Sequence, residues 1–283
     1  MTRSRAAAGE SAAPSNPLPG FPLTLGFTVF YLTVIVLAPI AALVLKALRL
    51  PWAQLWELAT NQRALASYEL SLGASLAAAL VNALFGSLLA WVLVRYRFPG
   101  RRLIDGLIDF PFALPTAVAG LTLADLFSAH GWLGQFLVPL GIKGAFTRLG
   151  VVIALTFVGL PFSVRTLQPV LETLEVGVEE AAACLGAGRL RTFLSVIAPT
   201  LLPTILTGFG LSFARALGEY GSIVFISGNL PQTEIAPTLI VMRLNQYDYT
   251  GAIAVALVLM IFSFALLLTL NMLQGWAAHF QEP

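Results

Sequence analysis

Apolar residues in this chain fall in long unbroken runs, not in the alternating segments of roughly ten residues that a membrane β-barrel would show. A helix that crosses a bilayer needs about 20 mostly apolar residues, and six segments reach that length. The first, Leu23–Leu48, carries no charge before Lys46. The second, Leu70–Val94, is rich in Ala, Gly and Ser, with Gly73, Ala74, Ala77, Ala78 and Gly86 on close turns. Small residues of this kind let helices approach in lipid, and they are read as ordinary helix packing. The third, Leu107–Ala129, is interrupted by Pro111 and Pro115. The fourth, Leu149–Leu171, contains Pro161 and Arg165, and the sixth, Ala252–Trp276, is uncharged. The fifth, Ile197–Ile226, is unusually long and holds Arg215, Glu219 and four glycines (Gly208, Gly210, Gly218, Gly221), so it reads either as one span or as two shorter pieces.

Composition agrees with an all-α polytopic membrane protein. Only 11% of the 283 residues are charged and 58% are hydrophobic, whereas a soluble domain carries about 25% charged residues. The net charge of +2 and the presence of only two lysines, Lys46 and Lys143, leave no basic stripe for a nucleic acid. The single cysteine, Cys184, excludes an internal disulfide and a cysteine metal cluster. His130 and His279 lie far apart and no metal-ligand spacing is present, so neither a metal nor a cofactor is expected.

Residues 1–20, rich in Ala, Ser, Pro and Gly, separate Arg3 and Arg5 from the first apolar run. That run is longer than a signal core of 7–15 residues. The reading is a disordered cytoplasmic tail over 1–20, a first helix and outer loop over 21–67, a core over 68–273, and a short cytoplasmic tail over 274–283. Orientation follows the basic residues near helix ends. With the N-terminus inside, inner segments hold eight arginines, including the cluster Arg95, Arg97, Arg101 and Arg102, against six lysines and arginines outside. Both termini are therefore expected in the cytoplasm.

One segment does not belong in a membrane. Glu172 to Ser195 reads ETLEVGVEEAAACLGAGRLRTFLS, with four glutamates before two arginines. Acids near a helix start and bases near its end suit the helix dipole. Its middle, Val178–Leu185, has helix-forming composition, and Gly186 and Gly188 read as a stop. On these grounds alone it is an amphipathic surface helix, either a plain connection between spans or a docking element.

The spacing separates the two. Glu180-Ala181-Ala182, three residues, Gly186, nine residues, then Val196-Ile197-Ala198-Pro199 resembles the EAA motif of binding-protein-dependent ABC importer permeases, with Val196 and Ala198 in place of the family's Ile and Leu. The resemblance implies a type I (MetI-like) permease fold in which this loop is a coupling helix gripped by a separate ATPase. Its coupling residues would be Glu179, Glu180, Ala181, Ala182, Gly186 and Pro199. The alanines would leave a flat face, the glutamates would offer anions to a basic partner, and Gly186 would permit a turn that a Cβ obstructs. Neither lysine lies in a phosphate-binding GxxxxGK[ST] loop, so ATP hydrolysis falls to another chain.

Residues 212–229, SFARALGEYGSIVFISGN, with Thr233–Pro237 (TEIAP), Gln246–Tyr249 (QYDY) and Leu114–Gly120 (LPTAVAG), are similar to the oxyanion branch of that family. They are closest to the T-type subunit of bacterial sulfate/thiosulfate permeases, and the likeness extends from about Leu18 to the sixth helix. It implies an inner-membrane heterodimer with a W-type (CysW-type) permease, two copies of a CysA-type ATPase and a periplasmic sulfate/thiosulfate-binding protein. Arg215 and Glu219, four apart on one helix face, can pair. Ionisable groups inside a span mark a substrate path by default, although a pair that only fixes packing fits equally. A helix restarting near Thr116 after Pro115 would aim N–H groups at an anion, unless the prolines merely kink the segment. Tyr220 completes the candidate path. The rival readings are a molybdate or tungstate permease, an ion-driven secondary transporter, and an intramembrane hydrolase. The last lacks a Ser–His or Asp–Asp dyad within reach, Asp109 and Asp125 being about four helical turns apart.

Overall fold

A computed structural model describes residues 20–279, except the side chains of Val176, Val178, Ala183 and 273–279. Apart from Gly20, the expected N-terminal tail lies outside the described residues, as do the last four residues of the expected C-terminal tail. The chain divides into two compact units, Met1–Arg49 and Leu50–Pro283. Among the described residues there is no strand.

Among its described residues the first unit is one helix, α1 (Phe21–Leu48), uncharged before Lys46 in its last turn. It passes Pro39 by way of a π-turn at Thr33–Leu37, where the Ala38 N–H donates to the Thr33 carbonyl. A proline ring clashes with the carbonyl four residues back, and slipping the hydrogen bond by one residue makes room. The same device recurs at the only other described Ala-Pro step inside a helix with such a turn: Ala198 donates to Phe193 across a π-turn at Phe193–Ile197, just before Pro199.

The second unit begins with α2 (Trp52–Thr60) and α3 (Gln62–Arg95), the latter capped by Asn61, whose side chain accepts the Ala64 N–H at 2.9 Å. Three short pieces follow: α4 (Arg101–Ile108), α5 (Phe110–Ala113) and α6 (Thr116–Leu126). Next come α7 (Arg148–Thr173), capped by Thr147, and the surface helix α8 (Val176–Cys184). Finally there are α9 (Arg189–Leu217), α10 (Gly221–Ile226), α11 (Ala236–Asn245) and α12 (Tyr249–His279). Helix α7 is the centre: α3 and α9 pack on it, α6 and α10 pack on each other, and α11 lies on α12. At one end of the bundle Leu93, Leu167, Leu171 and Leu201 form a dry cluster; further along, Val151, Leu155, Ile223 and Ile226 form another.

Among the described residues, five helices are long and apolar enough to span a bilayer. The expected third span is broken. Pro111 and Pro115 each remove a backbone donor, and the longest surviving piece, α6, has 11 residues. The expected fifth span is two pieces, because α9 ends at Leu217 and α10 restarts at Gly221. By contrast α7 runs unbroken through Pro161 and Pro169.

Candidate coupling helix and translocation path

Helix α8 ends as a Schellman motif. The Ala187 N–H donates to the Ala182 carbonyl at 3.0 Å, and Gly186 takes φ +83°. Among the described residues, nothing lies within 4 Å of a Cβ built on Gly186. The glycine is therefore favoured by its left-handed backbone, where a Cβ would crowd the residue's own chain, and not by a neighbouring residue. Glu180 and Ala181 are exposed, Ala182 is half-buried, and Glu179 turns inward. Leu185 and Leu190, on either side of the turn, stand 89% and 72% exposed, so the tip presents bare leucines that the sequence reading passed over. Pro199 lies on α9, just past the π-turn at Phe193–Ile197, and is exposed.

Arg95, the last residue of α3, joins four elements. Its Nη2 stands 2.9 Å from Glu179 Oε1 of α8 and donates to the Leu174 carbonyl at the end of α7 at 3.4 Å. Its guanidinium lies 5.4 Å over the Trp91 ring, and Trp91 meets Phe193 of α9 edge-on at 5.9 Å. The contact with Glu179 is an ion pair by distance without hydrogen-bond alignment: Glu179 Oε1 and Arg95 Nε are both buried and have no hydrogen-bond partner among the described residues.

The two broken segments meet. Helix α6 does restart at Thr116, with Pro115 at its N-cap. A Cβ on Gly221 would collide with Thr116 Oγ1, and one on Gly120 would collide with the Ser222 backbone, so the starts of α6 and α10 are pressed together through glycines. Just before α10, Glu219 is almost wholly buried. Its Oε2 accepts from Arg215 Nη1 at 2.6 Å, and its Oε1 accepts from the Ser222 N–H at 2.9 Å and Ser222 Oγ at 3.0 Å. Glu219 thus caps α10 and holds Arg215, whose side chain stays one-third exposed; Tyr220 is exposed beside it. The structure brings Pro115, Thr116, Arg215, Glu219 and Tyr220 to this junction, and places the α8 residues elsewhere.

Residues 82–279 match the family described as binding-protein-dependent transport system inner membrane component. The chain belongs to this family. The permease is 54% identical, over 90% of its length and 92% of the relative's, to the sulfate transport system permease protein CysT of Synechococcus elongatus. It is 48% identical to the protein of that name in Escherichia coli, over 91% and 94% of the two chains. Among solved structures it shares the fold of a chain of a bacterial ABC transporter involved in the import of the acidic polysaccharide alginate, with TM-score 0.73, 15% identity, and 90% and 96% of the two chains covered.

Other polar contacts of the permease escaped the sequence reading. Asn82, wholly buried in α3, donates through Nδ2 to Ser212 Oγ of α9 at 2.9 Å and to the Thr156 carbonyl of α7 at 3.1 Å. Arg165 of α7 is gripped by Asp109 at 2.8 and 2.6 Å and by Asp105 at 2.7 Å, with Gln168 donating to Asp105 at 3.0 Å. That grip accounts for Asp109; Asp125 stays exposed at the end of α6. The Gln168 hydrogen bond, with Arg165 alongside, holds the Asp105 carboxyl below the usual carboxylate range. At the opposite end of α3, Arg63 makes a two-point contact with buried Glu234, at 2.7 and 3.1 Å. Two of these contacts had a signal in the sequence, the amide of Asn82 and the charge of Arg165, each inside an otherwise apolar run.

Proposed function

We propose that this permease is the T-type membrane subunit of an ATP-driven importer of sulfate or thiosulfate in the bacterial inner membrane, with both termini in the cytoplasm. The observation that carries the cargo is the 54% identity to a sulfate permease subunit over nine-tenths of both chains. A W-type permease would complete the pore, two copies of a CysA-type ATPase would sit on the cytoplasmic face, and a periplasmic binding protein would deliver the anion. No bond in the substrate breaks, so the subunit needs no catalytic residue.

In this reading α8 is the coupling helix. Glu180, Ala181 and Leu185 form the surface that the ATPase grips, and the left-handed Gly186 fixes where that surface ends. Arg95 carries its displacement into α3, α7 and α9 together. At the far end of the lever, the junction of α6 and α10 offers an anion the Thr116 start of α6 and the exposed edge of Arg215. Glu219 offsets part of the arginine's charge, so that a dianion is attracted without being trapped.

The test is uptake of radiolabelled sulfate by the reconstituted four-component complex. The reading expects accumulation that requires ATP and the binding protein, and that excess thiosulfate suppresses. Accumulation without ATP, or stronger competition by molybdate than by thiosulfate, contradicts it.

A further inference from the structure

Helix α4 is oriented the wrong way round for a helix in water. Asp105, and Asp109 just after the helix, turn toward α7 and grip Arg165 at 2.7 and 2.6 Å. Leu103 and Leu107, one turn apart on the other side, stand 68% and 56% exposed, with Ile104 beside them. Phe110 and Phe112 of α5 continue that bare surface. A helix at a water interface buries its apolar side. One that turns its carboxylates to a neighbour and its leucines outward faces hydrocarbon or another apolar surface.

The chain leading into α4 is cationic. Arg97, Phe98, Gly100, Arg101 and Arg102 line an open pocket of about 340 Å³. Arg97 and Arg102 are exposed and Arg101 is half-buried. None of the three arginines forms an ion pair among the described residues. Among those residues no carboxylate lines the pocket either, and Asp105 and Asp109, the next two along the chain, are already held by Arg165. The pocket therefore presents positive charge with nothing to balance it.

Unbalanced cations at the start of a helix, with bulky apolar side chains running on from them, match an anionic phospholipid: phosphate first, acyl chain after. We infer that this corner of the permease binds a phospholipid with a net negative headgroup, of the phosphatidylglycerol kind. Its phosphate lies among Arg97, Arg101 and Arg102, and an acyl chain lies along Leu103 and Leu107. Basic clusters beside a span attract anionic lipid in general. Net charge selects the class here: an ammonium-bearing headgroup would set its own cation against three others, with no carboxylate in the pocket to receive it. A soluble anion would leave the leucines bare, and a helix of another subunit would have to bring carboxylates to the arginines. Because α4 also holds Arg165, the bound lipid braces that helix against α7. The site stands beyond the transport reading and does not depend on which anion is carried.

Native mass spectrometry of the intact complex tests it, after mild delipidation and addition of phosphatidylglycerol, phosphatidylethanolamine and phosphatidylcholine in equal amounts. The expected result is retained phosphatidylglycerol at about tenfold the level of either zwitterionic lipid. The combined change Arg97→Gln, Arg101→Gln and Arg102→Gln should remove most of that preference. Lys143→Gln, which removes an exposed cation outside the pocket, should leave it intact. Leu107→Asp should lower phosphatidylglycerol retention as well. Complexes are compared only as assembled particles isolated by size exclusion, and Leu107→Gln serves if the aspartate variant does not assemble. Equal retention of the three lipids, a preference unchanged in the triple variant, or an equal loss in Lys143→Gln overturns the proposal. So does displacement of the lipid by inorganic phosphate, which would make this a site for a free anion. Efficient crosslinking of Leu103→Cys, in a Cys184→Ser chain, to another subunit also overturns it, because a protein would then cover the leucines. Sulfate uptake is not read in any arm, so failure here leaves the transport reading untouched.

Discussion

Asn82 Nδ2 reaches Ser212 Oγ at 2.9 Å with no atom of α7 between them, because residue 159 of α7 is glycine. A Cβ there would collide with both groups. Three spans therefore cross at one polar contact, and a second small-residue contact lies beside it, where Gly86 and Gly208 flank Ser163. Gly159→Ala is expected to force α3 and α9 apart and to destabilise the assembled complex by about 1–3 kcal/mol, the usual cost of overpacking. Asn82→Ala should cost about 1 kcal/mol, as hydrogen bonds within membranes generally do. Thermal unfolding of the purified complex ranks the two; a larger loss for Asn82→Ala would contradict the steric account.

The Gly186 backbone makes a sharper prediction than loss of function on any substitution. The space around it is open and φ is +83°, so the penalty is conformational, about 1–2 kcal/mol for most L-residues. Asn, which tolerates that region, should retain most ATPase recruitment and uptake, whereas Val should lose both. Equal behaviour of Gly186→Asn and Gly186→Val would mean that the turn does not matter.

Arg95 and Glu179 form a contact that either residue alone cannot replace. Arg95→Glu and Glu179→Arg should each cut uptake at least tenfold while the subunits still co-purify. The double reversal should recover a substantial share, because a pair held without hydrogen-bond alignment depends mainly on opposite charge. No recovery in the double variant would remove Arg95 from the coupling path.

The Asp105–Arg165 grip sets an acid limit. A carboxyl held below its ordinary range stabilises the fold fully above its unfolded value, and that contribution is lost as pH falls through the lowered one. Melting temperature should therefore be insensitive to this group from neutral pH down to about pH 5, then fall in stronger acid. Gln168→Leu, which removes the leading hydrogen bond, should lower the melting temperature at neutral pH and make that fall smaller. An identical profile for the variant would contradict the assignment.

Much of the fold was legible in the chain because bilayer thickness makes apolar run length decisive. The segments that became α1, α3, α7 and α12 needed nothing else. The breaks at Pro115 and Gly218 were marked by residue type, as was the α8 stop at Gly186. What could not be read were partnerships made by packing. Asn82 and Ser212 lie 130 positions apart, Arg63 and Glu234 171 apart, and Asp109 and Arg165 56 apart. No periodicity in one segment encodes which side chain of another it will face. Glu179 illustrates the limit: by motif it belonged with Glu180 on the docking face, yet one helical step of 100° turns it toward Arg95.

The cytoplasmic coupling role of α8 can be measured with the protein's own chemistry. Cys184, at the end of that helix, is the chain's one cysteine and is exposed. Membrane-impermeant maleimide applied to sealed vesicles should label it from the cytoplasmic side alone, and added ATPase subunit should protect it. Labelling from the periplasmic side, or labelling indifferent to the ATPase, would contradict the account.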